Sequence, residues 1–203
     1  MRRMFGICCI ALGICCLLAA IGLVAHNHLE AQSAQTASES LLQDVRETME
    51  DGGSEEPAAQ DAPAEITANI PQEMPTAQVD GYDCIGVLSI PVLGLDLPVL
   101  TDWSYAKLKI APCLYFGSYF DADFVIAAHN YASHFGRLSE LQEGDLILFT
   151  DISGTVHCYE VALLETLPAN ATEEMITSGF ALSLYTCTPG GGSRVTVRCT
   201  AAE

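Results

Sequence analysis

The chain has 203 residues, half of them hydrophobic, and a formal net charge of −18. This length accommodates one ordinary domain plus additional segments, and the strong acidity excludes nucleic-acid-binding proteins, because phosphates require a basic surface. The charge is unevenly distributed, so that composition divides the chain into three parts: residues 1–25, 26–80 and 81–203.

The first part, residues 1–25, has the pattern of a membrane anchor. Arg2 and Arg3 precede 22 uncharged residues, 4–25, which are enough to cross about 30 Å of hydrocarbon. The two arginines predict a cytoplasmic N-terminus and export of the remaining chain. A cleaved signal peptide is the alternative, but its apolar core is usually shorter and is followed by a small-x-small cleavage site. The sequence therefore predicts an uncleaved single-pass anchor in the cell membrane, with the C-terminal domain outside the cell.

The second part, residues 26–80, is predicted to be a flexible, disordered acidic stalk. Between residues 27 and 80, twelve acidic side chains accompany one basic side chain, Arg46. Few large apolar residues are present, so this segment cannot bury a core, and its self-repelling charges hold the following domain away from the membrane. A short helix within the stalk is compatible with the helical spacing of four apolar residues. These residues are Leu41, Leu42, Val45 and Met49.

The third part, residues 81–203, is the globular unit. It contains short apolar runs separated by turn residues, which predicts β-strands, and two short helical stretches at 103–109 and 134–141. Eight short strands with few helices predict an all-β fold that is either closed or sandwiched. The predicted strands are 84–90, 95–100, 113–116, 123–128, 145–149, 155–164, 181–186 and 194–199.

A cysteine at the end of a predicted strand is the first candidate for chemistry. Cys187 closes the run 182–187 and is followed by Pro189 and three glycines, so it is predicted to lie at an accessible rim. A buried structural thiol is the commoner fate of a free cysteine. Five cysteines lie outside the membrane segment, and this odd number leaves at least one unpaired. The pairing of the other four stays open. They are Cys84, Cys113, Cys158 and Cys199.

A histidine and an arginine also occupy predicted strand ends. His129 ends the apolar run 124–128; His134, in the following loop, is the alternative base, but a strand end is held more rigidly. Arg194 opens a strand and presents a fixed fork of donors that suits an oxyanion, with Arg198 on the same face as the alternative. A thiol, an imidazole and a guanidinium together supply the groups needed for acyl transfer through a thioester.

The sequence motifs around these three residues resemble those of the sortase family, the cysteine transpeptidases of the Gram-positive cell surface. His129 lies in a motif similar to A-G-H-N, and Cys187 lies in a motif similar to T-L-x-T-C. Arg194 begins an R-φ-φ-V strand. The segment 86–91 also resembles the opening strand of the family. The resemblance covers about residues 84–200, which is nearly the whole predicted domain.

The resemblance implies an eight-stranded β-barrel and a role for each of the three residues. Cys187 attacks the threonine carbonyl of an LPxTG-type sorting signal, His129 protonates the departing amine, and Arg194 stabilises the oxyanion or holds the substrate backbone. The acyl group then passes to an amine of a cell-wall precursor (lipid II or the peptidoglycan cross-bridge) or to a pilin lysine. The implied partners are surface proteins with C-terminal sorting signals. Ala128 and Ser183 depart from the usual glycine and threonine, and no subclass is assigned.

Two other functions stay open: a membrane-tethered cysteine peptidase that only hydrolyses, and a non-catalytic β-domain that binds a surface partner. No cofactor is predicted, and the candidate ligands lack the close paired spacing of a zinc site. Acidic loops resemble the calcium-binding loops of some family members, but a solvated acidic surface is the simpler interpretation. The acidic residues concerned are Asp121, Asp123, Glu173 and Glu174.

Overall fold

The structure is a computed structural model that describes residues 2–52 and 73–202. Within these residues it contains two α-helices, nine strands and three short 3-10 helices. The helices are α1 (Arg2–Gly52) and α2 (Thr172–Ile176), with 3-10 helices at Pro91–Leu93, Lys107–Lys109 and Leu138–Glu140. The strands are β1 (Ala77–Val79), β2 (Tyr82–Ile90), β3 (Leu95–Leu100), β4 (Cys113–Phe116), β5 (Phe124–Ala127), β6 (Leu146–Asp151), β7 (Val156–Pro168), β8 (Leu182–Cys187) and β9 (Ser193–Ala201).

Strands β2 to β9 form a closed eight-stranded barrel, which confirms the predicted fold class. Their hydrogen-bonded order is β2-β3-β4-β5-β8-β9-β7-β6, and β6 pairs back onto β2 to close the ring. Gly86 makes this closure possible: its φ is 152°, and a Cβ there would lie 2.1 Å from the carbonyl oxygen of Thr150. The short strand β1 extends the sheet as a hairpin with the start of β2.

The barrel interior is a packed apolar core. The inward-facing residues alternate along each strand, as the pleat requires, and an eight-stranded barrel is just wide enough for side chains to fill it. Phe124 and Phe149 meet edge to face with ring centroids 5.2 Å apart, among Leu88, Ile126 and Leu184. Accessible chemistry is therefore confined to strand ends, loops and the outer wall.

All eight predicted strands are present, and the largest difference from a predicted boundary is at the end of β7. Strand β7 runs to Pro168, four residues beyond the predicted end, because its first half pairs with β6 and its second half continues along β9. Strand β1 was not predicted. The two predicted helical stretches are present only as the 3-10 helices Lys107–Lys109 and Leu138–Glu140.

Helix α1 overturns the predicted flexible stalk over residues 26–52, which continue the helix without interruption. Four residues of this segment form a buried stripe at helical spacing, and the C-terminal part of the stripe packs on the outer wall formed by β1, β2 and β3. The stripe consists of Ala34, Ser38, Leu41 and Val45. The few apolar residues are too sparse to form a core of their own, but they share one face and so bury against the barrel. The rest of the predicted stalk consists mainly of residues 53–72, which lie outside the described residues. The division of the chain into three parts stays a prediction.

Two ion pairs also join α1 to the barrel. Glu30 Oε1 lies 2.9 Å from Lys109 Nζ, and Arg46 Nη2 lies 2.7 Å from Asp96 Oδ2. These pairs are solvent-exposed and therefore contribute little free energy, so the apolar stripe provides most of the docking. In the described part of the chain, one helix is long and apolar enough to cross a membrane by length and composition. That helix is α1, whose mean hydropathy reaches 1.8.

Candidate active site

The three predicted site residues come together where β5, β8 and β9 lie side by side. Strand β5 is parallel to β8 with Ala127 opposite Tyr185, so the same register sets His129 beside Cys187, two residues further on. Strand β9 is antiparallel to β8 and pairs Arg194 directly with Cys187. Because neighbouring strands are about 4.8 Å apart, His129 and Arg194 each lie about one strand spacing from Cys187, on opposite sides of it.

The thiol and the guanidinium are in direct contact. Arg194 Nη1 donates a hydrogen bond to Cys187 Sγ over 3.3 Å. The guanidinium carbon also lies 5.8 Å from the ring centroid of Tyr185, a distance at which an aromatic face attracts and orients a cation. A fixed cationic donor at this position stabilises negative charge on sulfur, or on an oxygen that forms next to it.

Exposure distinguishes Cys187 from the other thiols of the barrel. Cys84, Cys113 and Cys199 are fully buried free thiols. Burial raises the pKa of Cys84 to about 11 and the pKa of Cys113 and of Cys199 to about 12, which keeps them protonated and unreactive. Cys158 is half-buried, whereas Cys187 is exposed. Among the described barrel residues, Cys187 is thus the thiol most accessible to a substrate.

The imidazole of His129 is half-buried and held by stacking. Its ring lies 3.9 Å from that of Tyr131, centroid to centroid, with 19° between the two planes. Burial lowers the pKa of His129, the positive charge of Lys109 lowers it further, and Glu30 opposes both. Since the pKa falls below its ordinary value, the neutral imidazole is the main form near pH 7.

A tight turn fixes the backbone that follows His129. The amide of Phe135 donates to the carbonyl oxygen of His129 over 3.2 Å, and the amide of Gly136 donates to the carbonyl oxygen of Tyr131 over 2.8 Å. A Cβ on Gly136 would lie 2.5 Å from the carbonyl oxygen of Asn130. Only glycine allows this close approach, so Gly136 belongs to the support of the imidazole.

The alternative base, His134, is fully buried. Burial, reinforced by the neighbouring His129, lowers the pKa of His134 to about 4. Neither ring nitrogen has a hydrogen-bond partner among the residues that the structure describes. A neutral imidazole enclosed in this way is poorly placed to exchange protons with a substrate, so the geometry favours His129 as the base.

The alternative arginine, Arg198, is buried, and its guanidinium is hydrogen-bonded to several neighbouring groups. It is 2% exposed and donates to Glu165 Oε1 over 2.8 Å, to Ser183 Oγ over 2.9 Å and to the carbonyl oxygen of Glu174 over 2.7 Å. It also donates to the carbonyl oxygen of Met175, so it fastens the end of α2 to strands β8 and β9. Ser183 departs from the family's threonine but keeps the hydroxyl that accepts this hydrogen bond.

A row of aromatic rings leads across the outer wall to Arg194, and sequence reasoning did not identify it. Successive ring centroids from Tyr105 to Trp103, Tyr115 and Tyr185 are 5.8, 5.7 and 5.2 Å apart. A cavity of about 50 Å³ beside Arg194 is lined by Tyr115 and Tyr185, together with residues of α2 and the loop before it. The row joins residues far apart in the chain, and no local pattern signals it.

The acidic loops considered for calcium do not assemble into a metal centre in the described structure. No group of three or more His, Cys, Asp or Glu side chains with metal-binding geometry is found there. Asp123 Oδ1 instead accepts hydrogen bonds from Ser178 Oγ and from the amide of Gly179, both over 2.8 Å. This carboxylate therefore holds the loop that precedes β8.

Comparison with known proteins agrees with this geometry. The family model of the sortase domain matches residues 88–202, more than half of the chain. The chain belongs to the sortase family. No curated protein matches this sortase.

Several solved sortases share its fold. Sortase C from Streptococcus pneumoniae is 20% identical with a TM-score of 0.55, and the match covers 86% of this chain and 89% of that one. Sortase A from Corynebacterium diphtheriae is 23% identical with a TM-score of 0.54, covering 60% of this chain. Sortase C1 from Streptococcus suis is 26% identical with a TM-score of 0.51, covering 59% of this chain and 73% of that one.

This sortase spans 62% of the Corynebacterium sortase A chain, which is less than two thirds of its length. The similar structures include both A and C sortases, so the subclass stays unassigned.

Proposed function

We propose that this sortase is a membrane-anchored cysteine transpeptidase. It would cleave an LPxTG-type sorting signal between Thr and Gly and transfer the acyl group to an amine. The observation that carries the proposal is the 3.3 Å contact between Arg194 Nη1 and the exposed Cys187 Sγ, with His129 in register on the adjacent strand.

In the first half-reaction, the thiolate of Cys187 attacks the threonine carbonyl carbon. A carbon–sulfur bond forms, the negative charge moves to the carbonyl oxygen, and Arg194 stabilises it. The Thr–Gly carbon–nitrogen bond then breaks, and the imidazolium of His129 gives its proton to the departing amine. A thioester on Cys187 and a neutral imidazole remain.

In the second half-reaction, an acceptor amine attacks the thioester carbon and loses a proton to His129. The new amide forms as the carbon–sulfur bond breaks, and the thiolate and the imidazolium are regenerated. The lowered pKa of His129 means that only a minor fraction of the enzyme carries the imidazolium near pH 7. We expect turnover to be slow for that reason.

The proposed donors are surface proteins with a C-terminal sorting signal. The acceptor amine belongs to a cell-wall precursor, lipid II or the peptidoglycan cross-bridge, or to a pilin lysine. Anchoring by residues 4–25 would place the barrel outside the cell, because Arg2 and Arg3 precede the apolar segment.

The proposal is tested with a Cys187→Ala variant assayed with an LPxTG-type peptide and an amine acceptor. The expected result is complete loss of both cleavage and ligation, with unchanged folding because the side chain is exposed. The matched control is Cys158→Ala, which removes a half-buried thiol from strand β7 and is expected to retain activity.

The products decide between the proposal and its alternatives. Ligated product from the unmodified enzyme supports a transpeptidase, whereas hydrolysed peptide alone, even with abundant amine, indicates a peptidase. Retained cleavage in the Cys187→Ala variant overturns the role of this thiol. A thiol that no reactive substrate mimic labels points to the non-catalytic binding domain.

A further inference from the structure

The exposure of α1 changes abruptly at one position. The described apolar side chains between Ile10 and Leu29 are exposed all around the helix, including Leu23, Val24 and Leu29, each more than 60% exposed. From Glu30 onward, one face is covered by the barrel, first through the ion pair to Lys109 and then through the buried stripe that ends near Met49. Among the residues that the structure describes, none covers the first helix segment, whereas the barrel covers one face of the second.

The spacer between these two segments is only one helical turn. The uncharged run ends at Ala25, and the first barrel contact is at Glu30, so four residues lie between them. At 1.5 Å per residue they rise about 6 Å, which is about the thickness of one headgroup layer. If residues 4–25 span a bilayer, the ion pair between Glu30 and Lys109 lies at headgroup level.

The candidate site lies next to this ion pair. Glu30 raises and Lys109 lowers the pKa of both His129 and Tyr131, and the rings of these two residues stack on each other. The loop that carries Lys109 also contains Lys107, and two of the five basic residues of the domain are therefore concentrated here. Each of these lysines is paired with a carboxylate, Lys107 with Asp102 and Lys109 with Glu30, so the position of this region relative to the bilayer follows from the length of the helix and not from attraction of free basic side chains to the headgroups.

We infer that α1 acts as a rigid strut that holds the barrel against the bilayer, with the candidate site at the membrane surface. The partner of this face is the headgroup layer itself. The enzyme would then act on bonds held within a short distance of the bilayer, and not on sites presented far out in the wall. The inference relies on the proposed anchoring by residues 4–25, but it does not depend on transpeptidase activity.

The test measures the height of Cys187 above the membrane. The full chain carrying Cys158→Ala is reconstituted into liposomes, and Cys187 is then labelled with a membrane-impermeant thiol-reactive donor fluorophore. Acceptor fluorophores are attached to lipid headgroups, and energy transfer is recorded. Co-flotation with the liposomes establishes anchoring separately, so that failure of the anchor and failure of the strut give different results.

Two insertions of the same flexible Gly/Ser segment provide the decisive comparison. About twenty residues, with a root-mean-square span of roughly 25 Å, are placed either after Asn27 or after Gly52. Both lengthen the chain between the membrane and the barrel equally. Only the insertion after Asn27 separates the membrane span from the docked segment.

We expect strong energy transfer in the parent and in the Gly52 insertion, and loss of most of the transfer in the Asn27 insertion. Weak transfer in the parent overturns the inference. Equal transfer in all three proteins also overturns it, because the docked helix would then not set the height. Loss of transfer in both insertions shows that α1 does not stay docked, and it rejects the strut as well.

Discussion

The two arginines of β9 have different environments although they share a strand, a face and a residue type. Arg198 is covered by α2 and donates to Glu165, to Ser183 and to two helix carbonyls. Arg194, four residues earlier, lies at the open end of the same ladder and donates to Cys187. The difference teaches that burial, and not residue type or alternation, separates the structural guanidinium of Arg198 from the accessible guanidinium of Arg194.

The cause of this difference is the helix that follows β7. Helix α2 ends over one part of the β8–β9 ladder, where its last carbonyls need donors and Arg198 supplies them. Beyond Thr188 the chain turns through Gly190 and Gly191, both at positive φ, and no helix or strand within residues 2–52 and 73–202 covers these strand ends. A substrate can therefore reach one end of the ladder and not the other.

The largest expected effect is on stability, from Arg198→Ala. The substitution leaves Glu165 without its partner and removes the donor to α2, so we expect the free energy of unfolding to fall by about 3–5 kcal/mol. Denaturant unfolding measures it. Arg137→Ala, which breaks an exposed pair with Glu140, is the control and should change stability little. A fully stable Arg198→Ala protein would contradict the structural role.

In contrast to Arg198→Ala, Arg194→Ala should lower the activity and leave the stability unchanged. We expect a loss of about a hundred- to a thousandfold in kcat/KM, as for removal of an oxyanion donor, with an unchanged unfolding midpoint. Arg194→Lys should recover only part of the activity, because an ammonium lacks the planar fork. If Arg194→Ala were destabilised as strongly as Arg198→Ala, the contrast between the two ends of the ladder would disappear.

Gly136→Ala tests the turn that supports His129 in the candidate site. Its Cβ would meet the carbonyl oxygen of Asn130 at 2.5 Å, and relieving this overlap costs about 1–3 kcal/mol while displacing the turn that holds His129. We expect reduced activity and a lower unfolding midpoint. Gly192→Ala, which has open space around it, is the matched control. Equal behaviour of the two variants would show that the turn does not constrain the site.

The smallest expected effect is a displacement of the pH profile by charges near His129. Lys109→Gln removes a positive charge that lowers the pKa of His129. The pKa of His129 should therefore rise, and the part of the pH–activity profile that requires the imidazolium should extend to higher pH. Glu30→Gln removes the opposing negative charge and should move the same part of the profile to lower pH. Titration of the His129 ring by NMR reports both shifts. Shifts of the same sign would show that Glu30 and Lys109 do not act on His129 through charge.

Local sequence patterns predicted the barrel well because its strands carry strong local signals. Apolar runs such as 124–128 and the turn glycines mark strand bodies and ends, and the parallel register of β5 and β8 then aligns His129 with Cys187. Helix α1 was predicted poorly beyond residue 25. Its buried stripe is sparse, and its stability depends on a barrel wall that composition does not reveal.

The sequence alone determined the three candidate residues, the strand order along the chain and the apolar N-terminal segment, because each depends on residues close together in the chain. Tertiary structure decided which arginine is covered, which histidine is enclosed and where α1 docks. Those outcomes depend on contacts between distant segments, such as Glu30 with Lys109 and Arg198 with the end of α2. Burial and partner geometry exist only after the chain has folded.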